Sequence, residues 1–285
     1  MSGSSIVVQP DLIYGERRGK HLTLDQYIPD RANGAAIVFV NSGGFESGKF
    51  SQRRDLGSSH YEFVPAAELV IGDSDPIPLL AQFSFERLLS SGFRVFDVRH
   101  SNAPSTFDEM LTDVRTAINW IHEHAKGLGI DPARVGIFGA SSGGYLAIAA
   151  GLTARKLEKH LIRSIASYYP AGYDFPADVA GFPQILEGLP ALAVDDEVME
   201  ANSIKNLYPF GGPPTLVIYG DQDFSFIVNP CRSILSEFPK AGIDTKGVVI
   251  KGAGHEFMRE DGYHADDGDR AQEEMVHWFM QQLGN

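Results

Sequence analysis

Asp131-Pro132-Ala133-Arg134-Val135-Gly136-Ile137-Phe138-Gly139-Ala140-Ser141-Ser142-Gly143-Gly144 decides what this chain folds into. Asp131-Pro132 closes a turn, Val135 to Phe138 is a short apolar strand, and the segment after Ser142 is rich in Ala and Leu, as a buried helix is. Between strand and helix stands G-x-S-x-G. The bare pattern is a weak signal, but its flanks give it weight. A sharp strand-to-helix turn forces the serine into a strained conformation, and glycines on either side remove Cβ atoms that would strike neighbouring backbone. Ser141 is then exposed at the edge of a sheet.

Working outward, strand and helix patterns alternate. Ile6 to Tyr14 and His21 to Tyr27 read as early β runs, and the solid apolar run Ala35 to Val40 reads as a strand buried on both faces. Leu79 to Leu89 has helical spacing, Gly92 stops it, and Phe93 to Val98 is another strand. Ser105 with Asp108 resembles a capping box ahead of Phe107, Met110, Leu111, Val114, Ile118 and Ile121, one face of an amphipathic helix. Strand patterns recur at Ile162 to Tyr169, Thr215 to Tyr219 and Gly247 to Lys251. This is the pattern of an α/β protein with a mostly parallel central sheet and helices on both faces. Residues 46–77 and 171–213 exceed the ~12 to 15 residues of a plain connection. They read as a long ordered loop and a small cap inserted in a single domain spanning 1–285, and both leave the sheet edge where ligands bind.

A serine hydroxyl attacks only when a base takes its proton. Of nine histidines, His255 lies in Gly252-Ala253-Gly254-His255-Glu256-Phe257, just past the last strand and at the same edge as Ser141. His122 and His124, two apart on the amphipathic helix, face different sides and share no metal. His100, after the strand ending at Val98, is a weaker pocket candidate. The imidazole needs a carboxylate on its far nitrogen. Asp221 and Asp223 both follow the strand Thr215 to Tyr219; the nearer suits turn bonds and the farther reaches towards the next loop, which favours Asp223. Ser141, Asp223, His255 is the chain order that a strand-turn-helix serine requires. The oxyanion formed on attack needs preorganised donors. Gly43 and Gly44, after the strand Ala35 to Val40, and the amide of Ser142 are the expected ones.

With these motifs in place the sequence resembles the α/β-hydrolases, and among them the esterases related to hormone-sensitive lipase and the small acetyl and feruloyl esterases, from about Ile6 to the C-terminus. Asp131 to Gly144 looks like that family's nucleophile segment, Pro213 to Asp223 its acid strand, whose second aspartate is the triad member, and Gly252 to Phe257 its histidine loop. Asn41-Ser42-Gly43-Gly44-Phe45 aligns with its HGGG-aromatic motif, with Asn41 in place of the histidine and Ser42 of the first glycine; Asp97 to His100 aligns with its DYRL-like strand end. The resemblance implies an α/β-hydrolase fold and serine esterase chemistry.

Composition narrows the rest. A formal charge of −13 repels phosphate backbones and anionic membranes, so nucleic acid and membrane surfaces are not expected partners. Cys231 is the only cysteine, which excludes an internal disulfide and a multi-cysteine metal cage. The opening residues lack a basic and apolar leader, and no apolar run approaches the ~20 residues of a membrane span. Expected, then, is a cytoplasmic serine hydrolase acting on a small carboxylic ester through an acyl-enzyme, with no cofactor or metal and with a homo-oligomer allowed. Amidase, formamidase or peptidase chemistry on the same triad, and a hydrolase-shaped binding protein that has lost catalysis, are the alternatives that the residues leave open.

Overall fold

Each expected strand is present, with ends shifted by up to three residues, in a computed structural model, which describes residues 6–48, 50–57, 60–69, 78–156, 161–180 and 187–284. The strands are β1 (Val7–Arg17), β2 (Lys20–Ile28), β3 (Ala36–Val40), β4 (Arg53–Gly57), β5 (His60–Phe63), β6 (Arg94–Val98), β7 (Val135–Ala140), β8 (Ser164–Tyr168), β9 (Thr215–Gly220), β10 (Thr245–Ile250), β11 (Met258–Arg259) and β12 (Gly262–Tyr263). Eight of them form one sheet in the order β1-β2-β6-β3-β7-β8-β9-β10. The β1–β2 and β2–β6 pairs are antiparallel and the other pairs parallel. Every residue of β3, β7, β8 and β9 is buried, whereas edge strand β1 alternates between exposed and covered positions. Solid apolar runs thus mark the strands covered on both faces.

The helices are α1 (Glu86–Ser90), α2 (Phe107–Glu123), α3 (Ala125–Leu128), α4 (Ser142–Lys156), α5 (Phe175–Ala180), α6 (Asp196–Asn202), α7 (Ser225–Glu237) and α8 (Ala265–Leu283). Two of them show how both faces are covered. A Cβ on Gly136 of β7 would meet Phe279 of α8 at 2.7 Å, while Ile165, paired with the adjacent Ile137, lies 2.6 Å from where a Cβ on Gly151 of α4 would stand. Successive strand residues point to opposite faces, so α4 and α8 lie on opposite sides of the sheet. No helix among the described residues is long and apolar enough to cross a membrane.

Two local expectations shift. The helix expected over Leu79 to Leu89 is a 3₁₀ turn, Pro78–Phe83, followed by the short α1. Side-chain amides explain the break: Gln52 donates to Phe83 O (2.8 Å) and accepts from Phe85 N (2.7 Å), and Gln272 donates to the carbonyls of Ala81 and Ser84. Backbone groups that a continuous helix would pair internally are satisfied by distant residues instead. At the start of α2 the cap is Thr106, whose N–H is accepted by Glu109 at 3.0 Å, one residue beyond the Ser105–Asp108 pair. The described part of 46–77 holds the β4–β5 hairpin. The described part of 171–213 carries α5, α6 and three short 3₁₀ turns.

Candidate active site

β7 delivers Ser141 to a turn where backbone strain is concentrated. Ser141 has φ of +54°, and four more of the seven described non-glycine residues with positive φ gather around it: Phe45, Tyr169, Glu256 and Phe257. For non-glycine residues this conformation costs roughly 1–3 kcal/mol each, and such strain persists where the surroundings enforce it. Ser141 N–H donates to Tyr168 O and Ser141 O accepts from Tyr145 N, both at 3.0 Å, so the turn is clamped between β8 and α4. Gly143 is required by close approach, since a Cβ there would lie 2.6 Å from Val40 O. The end of β3 and the start of α4 touch backbone to backbone.

The acid and histidine loops are joined in the same way. A Cβ on Gly220 would run into the Ala253 carbonyl, Gln222 N–H donates to that carbonyl at 2.9 Å, and Asp221 accepts from Gly252 N–H at 2.7 Å. That bond, the main cause, holds Asp221 below the usual carboxylate range. Asp223 turns the other way: its buried carboxylate accepts from Phe224 N–H (2.7 Å) and meets His255 Nδ1 at 2.9 and 3.1 Å. The structure therefore brings Asp223, not Asp221, to His255. Tyr169 connects this pair to Ser141: its ring centroid is 4.8 Å from that of His255, and it lines the cavity into which Ser141 faces. Tyr169 OH donates to Gln82 Oε1 at 3.1 Å, and Gln82 Nε2 donates to Glu256 O at 3.2 Å.

The loop after β3 departs from expectation at one atom. Gly43 N–H, expected to face an oxyanion, is given to Glu46 O at 2.9 Å, and Glu46 N–H returns a bond to Gly43 O at 3.1 Å. The loop folds back on itself as a short bridge, which occupies that donor. Gly44 N–H has no acceptor among the described residues. Ser142 adds a side-chain role that its position alone did not announce: its Oγ accepts from Phe45 N–H and pairs with Ser42 Oγ, both at 2.9 Å, tying the loop to the start of α4. Asn41 anchors the loop base by donating to Phe50 O (2.6 Å) and Asp97 Oδ1 (3.0 Å). The two positions where the sequence departs from HGGG thus brace the loop with side-chain bonds of their own. Asp97 is fully buried opposite Asp25, and burial pushes its carboxyl up to about 7 against the pull of Arg99.

The cavity at Ser141 has a volume of about 270 Å³. Phe39, Phe50, Leu80, Phe83 and Tyr169 make it largely apolar, with Glu46 and Glu256 also on its wall. The segment 78–83 that broke the expected helix is what places Leu80 and Phe83 here. No described residue of 171–213 lines this cavity; that segment approaches through Leu189, 3.4 Å from where a Cβ on Gly44 would stand. Tyr168 packs on Phe257 and Tyr173 on Tyr208, away from the cavity. His122 bonds Leu161 O, His124 stacks on Trp120, and Cys231 is buried and free. Among the described residues no cluster of His, Cys, Asp and Glu is arranged to hold a metal ion.

Fold and site together define the α/β-hydrolase fold, and solved structures agree. An arylesterase superposes with a TM-score of 0.73 over 97% of this chain and 85% of its own, at 17% identity. Carboxyl esterase 2 from Tuber melanosporum gives 0.71 over 99% and 89%, at 18% identity. Thermogutta terrifontis esterase 2 phosphoramylated by tabun gives 0.68 over 100% and 96%, also at 18%. The chain has the α/β-hydrolase fold. In sequence, the family model described as BD-FAE matches residues 78–180. Esterase LipC of Mycobacterium tuberculosis (strain ATCC 25618 / H37Rv) is 28% identical over 218 residues, 70% of this chain and 53% of the relative. The chain spans about half the length of that curated relative.

Proposed function

We propose that this chain is a serine carboxylesterase that cleaves small esters through an acyl-enzyme. One observation carries the reading: a serine held at positive φ at the head of a helix, facing an apolar cavity whose Tyr169 wall also packs on an imidazole bonded to a buried carboxylate. With Nδ1–H donated to Asp223, His255 keeps the Nε2 lone pair to take the Ser141 proton as Oγ attacks the ester carbonyl. Asp223 fixes that tautomer and stabilises the imidazolium. The amides of Gly44 and Ser142 meet the developing oxyanion, and collapse of the tetrahedral adduct expels the alcohol, which takes the proton back from His255. Water, activated by the same imidazole, then releases the acid. No step calls for a metal or cofactor.

A cavity of about 270 Å³ walled by aromatic and aliphatic groups fits a short acyl group or a single ring, which supports a small ester as substrate. The esterases found by comparison support the same chemistry. A fluorophosphonate probe tests the nucleophile: labelling is expected on Ser141 and absent from Ser141→Ala, and unchanged labelling of that variant rejects the assignment. A p-nitrophenyl ester series run beside anilides and formyl amides tests the substrate class. Turnover is expected to fall steeply beyond short acyl chains, and faster cleavage of the amides would turn the reading to an amidase.

A further inference from the structure

A gathering of arginine and lysine side chains lies away from Ser141. A cavity of about 340 Å³ opens between the β1–β2 hairpin and the segment after β6, and its wall holds Arg17, Arg18, Lys20, His21, Arg99 and His100. None of the described lining residues is acidic, although the chain as a whole carries a formal charge of −13. Four carboxylates pair with the arginines: the buried Asp25 and Asp113, the partly exposed Glu109, and Asp11 at the surface, which meets Arg99 at 3.1 Å. Asp113 holds Arg17 Nε at 2.8 Å, Glu109 holds Arg18 Nη2 at 2.9 Å, and the buried Asp25 holds Arg99 Nη2 at 2.8 Å. These pairs fix the guanidinium groups in place, which lowers the entropy lost when they meet a ligand. Lys20 and His21 have no ion-pair partner among the described residues. The hairpin turn, with Arg18 and Gly19 both at positive φ, carries them to the cavity rim.

We propose that this cavity is a binding site for a small organic phosphate. Its cations approach from two separate segments, which suits the several oxygens of a phosphate monoester better than one planar carboxylate. Leu22, Ala103 and Pro104 give the wall an apolar stretch for an organic body, and the volume falls at the lower end of small-molecule sites. Neither Ser141 nor His255 lines it, so the site is separate from the proposed reaction centre.

Calorimetric titration with glycerol 3-phosphate, inorganic phosphate and propionate at matched ionic strength tests this without any hydrolysis, so its outcome is independent of the proposed esterase reaction. One glycerol 3-phosphate per chain is expected, bound more tightly than inorganic phosphate or propionate. Lys20→Glu, at an exposed position outside the reaction centre, is expected to weaken binding about tenfold or more, and Arg18→Ala to weaken it as well. Ser141→Ala is expected to leave binding unchanged. No saturable binding up to about 10 mM, affinity unaltered in Lys20→Glu, binding lost in Ser141→Ala, or preference for propionate would each overturn the proposal.

Discussion

Two loops leave neighbouring parallel strands at the same sheet edge and are held by different means. The turn after β7 is fixed by backbone geometry: Ser141 at positive φ, Gly143 against Val40 O, and hydrogen bonds to Tyr168 and Tyr145. The loop after β3 is fixed by side chains drawn from far along the chain, with Asn41 on Asp97, and Ser42 and Phe45 on Ser142. A loop set by local strain writes itself into its own residues, because few residue types tolerate that backbone. A loop set by distant polar partners leaves no such mark, and its donors are free to be spent elsewhere, as Gly43 N–H is on Glu46.

The sharpest way to break this contrast is at Ser141. Ser141→Ala is expected to reduce kcat by about 10⁴-fold or more with the fold intact, measured by ester turnover and near-ultraviolet circular dichroism. Gly143→Ala comes next in severity: its Cβ cannot coexist with Val40 O, so turnover should fall about a hundredfold or more through displacement of the turn. Activity close to the parent would show that the β3 end yields, and that the serine turn is no more rigid than its neighbour.

The loop after β9 separates two aspartates with one residue between them, Asp221 on Gly252 N–H and Asp223 on His255. Asp223→Asn should lower kcat by roughly 10²- to 10⁴-fold by upsetting the His255 tautomer, whereas Asp221→Asn should cost less than about tenfold. The reverse ranking would reassign the acid. At the side-chain-braced loop, Asn41→Leu leaves a buried acceptor on Asp97 without its donor. A stability loss of about 1–3 kcal/mol in urea unfolding is expected, with a smaller fall in kcat than at Gly143.

The smallest expected effect concerns pH. The Asp97 carboxyl is raised to about 7, chiefly by burial, with Arg99, Asp25, Asn41 and Arg53 facing it. The folded state therefore keeps a proton that the unfolded chain releases near the ordinary value of about 4. Its contribution to stability is fully present below about pH 4 and is lost as pH rises through about 7. Asp97→Asn, which still accepts from Asn41, should gain in Tm relative to the parent as pH climbs from 5 to 8. A difference that stays flat over that range would place a charged Asp97 in the folded protein already at pH 5.

How legible the molecule was follows the same division. Buried strands declared themselves by unbroken apolar runs, and turn chemistry marked the loops that carry Ser141, Asp223 and His255. The helix expected at Leu79 to Leu89 was not recoverable from its own residues, because Gln52 and Gln272, remote in sequence, capture its backbone groups. Leu80 and Phe83 owe their place on the cavity wall to that capture, and Tyr169, on the same wall, is held by a bond to Gln82 from far along the chain. The basic cavity is of the same kind, since its cations come from a hairpin turn and a strand end about 80 residues apart in numbering.

Sequence by itself determined which segments become strands, the order of the sheet-edge groups along the chain, and the serine turn, because those depend on local sterics and on burial patterns with short periods. Tertiary structure alone decided which amides stay available, which walls enclose Ser141 and where the cations meet. Those outcomes depend on polar partners brought together only after the chain has folded.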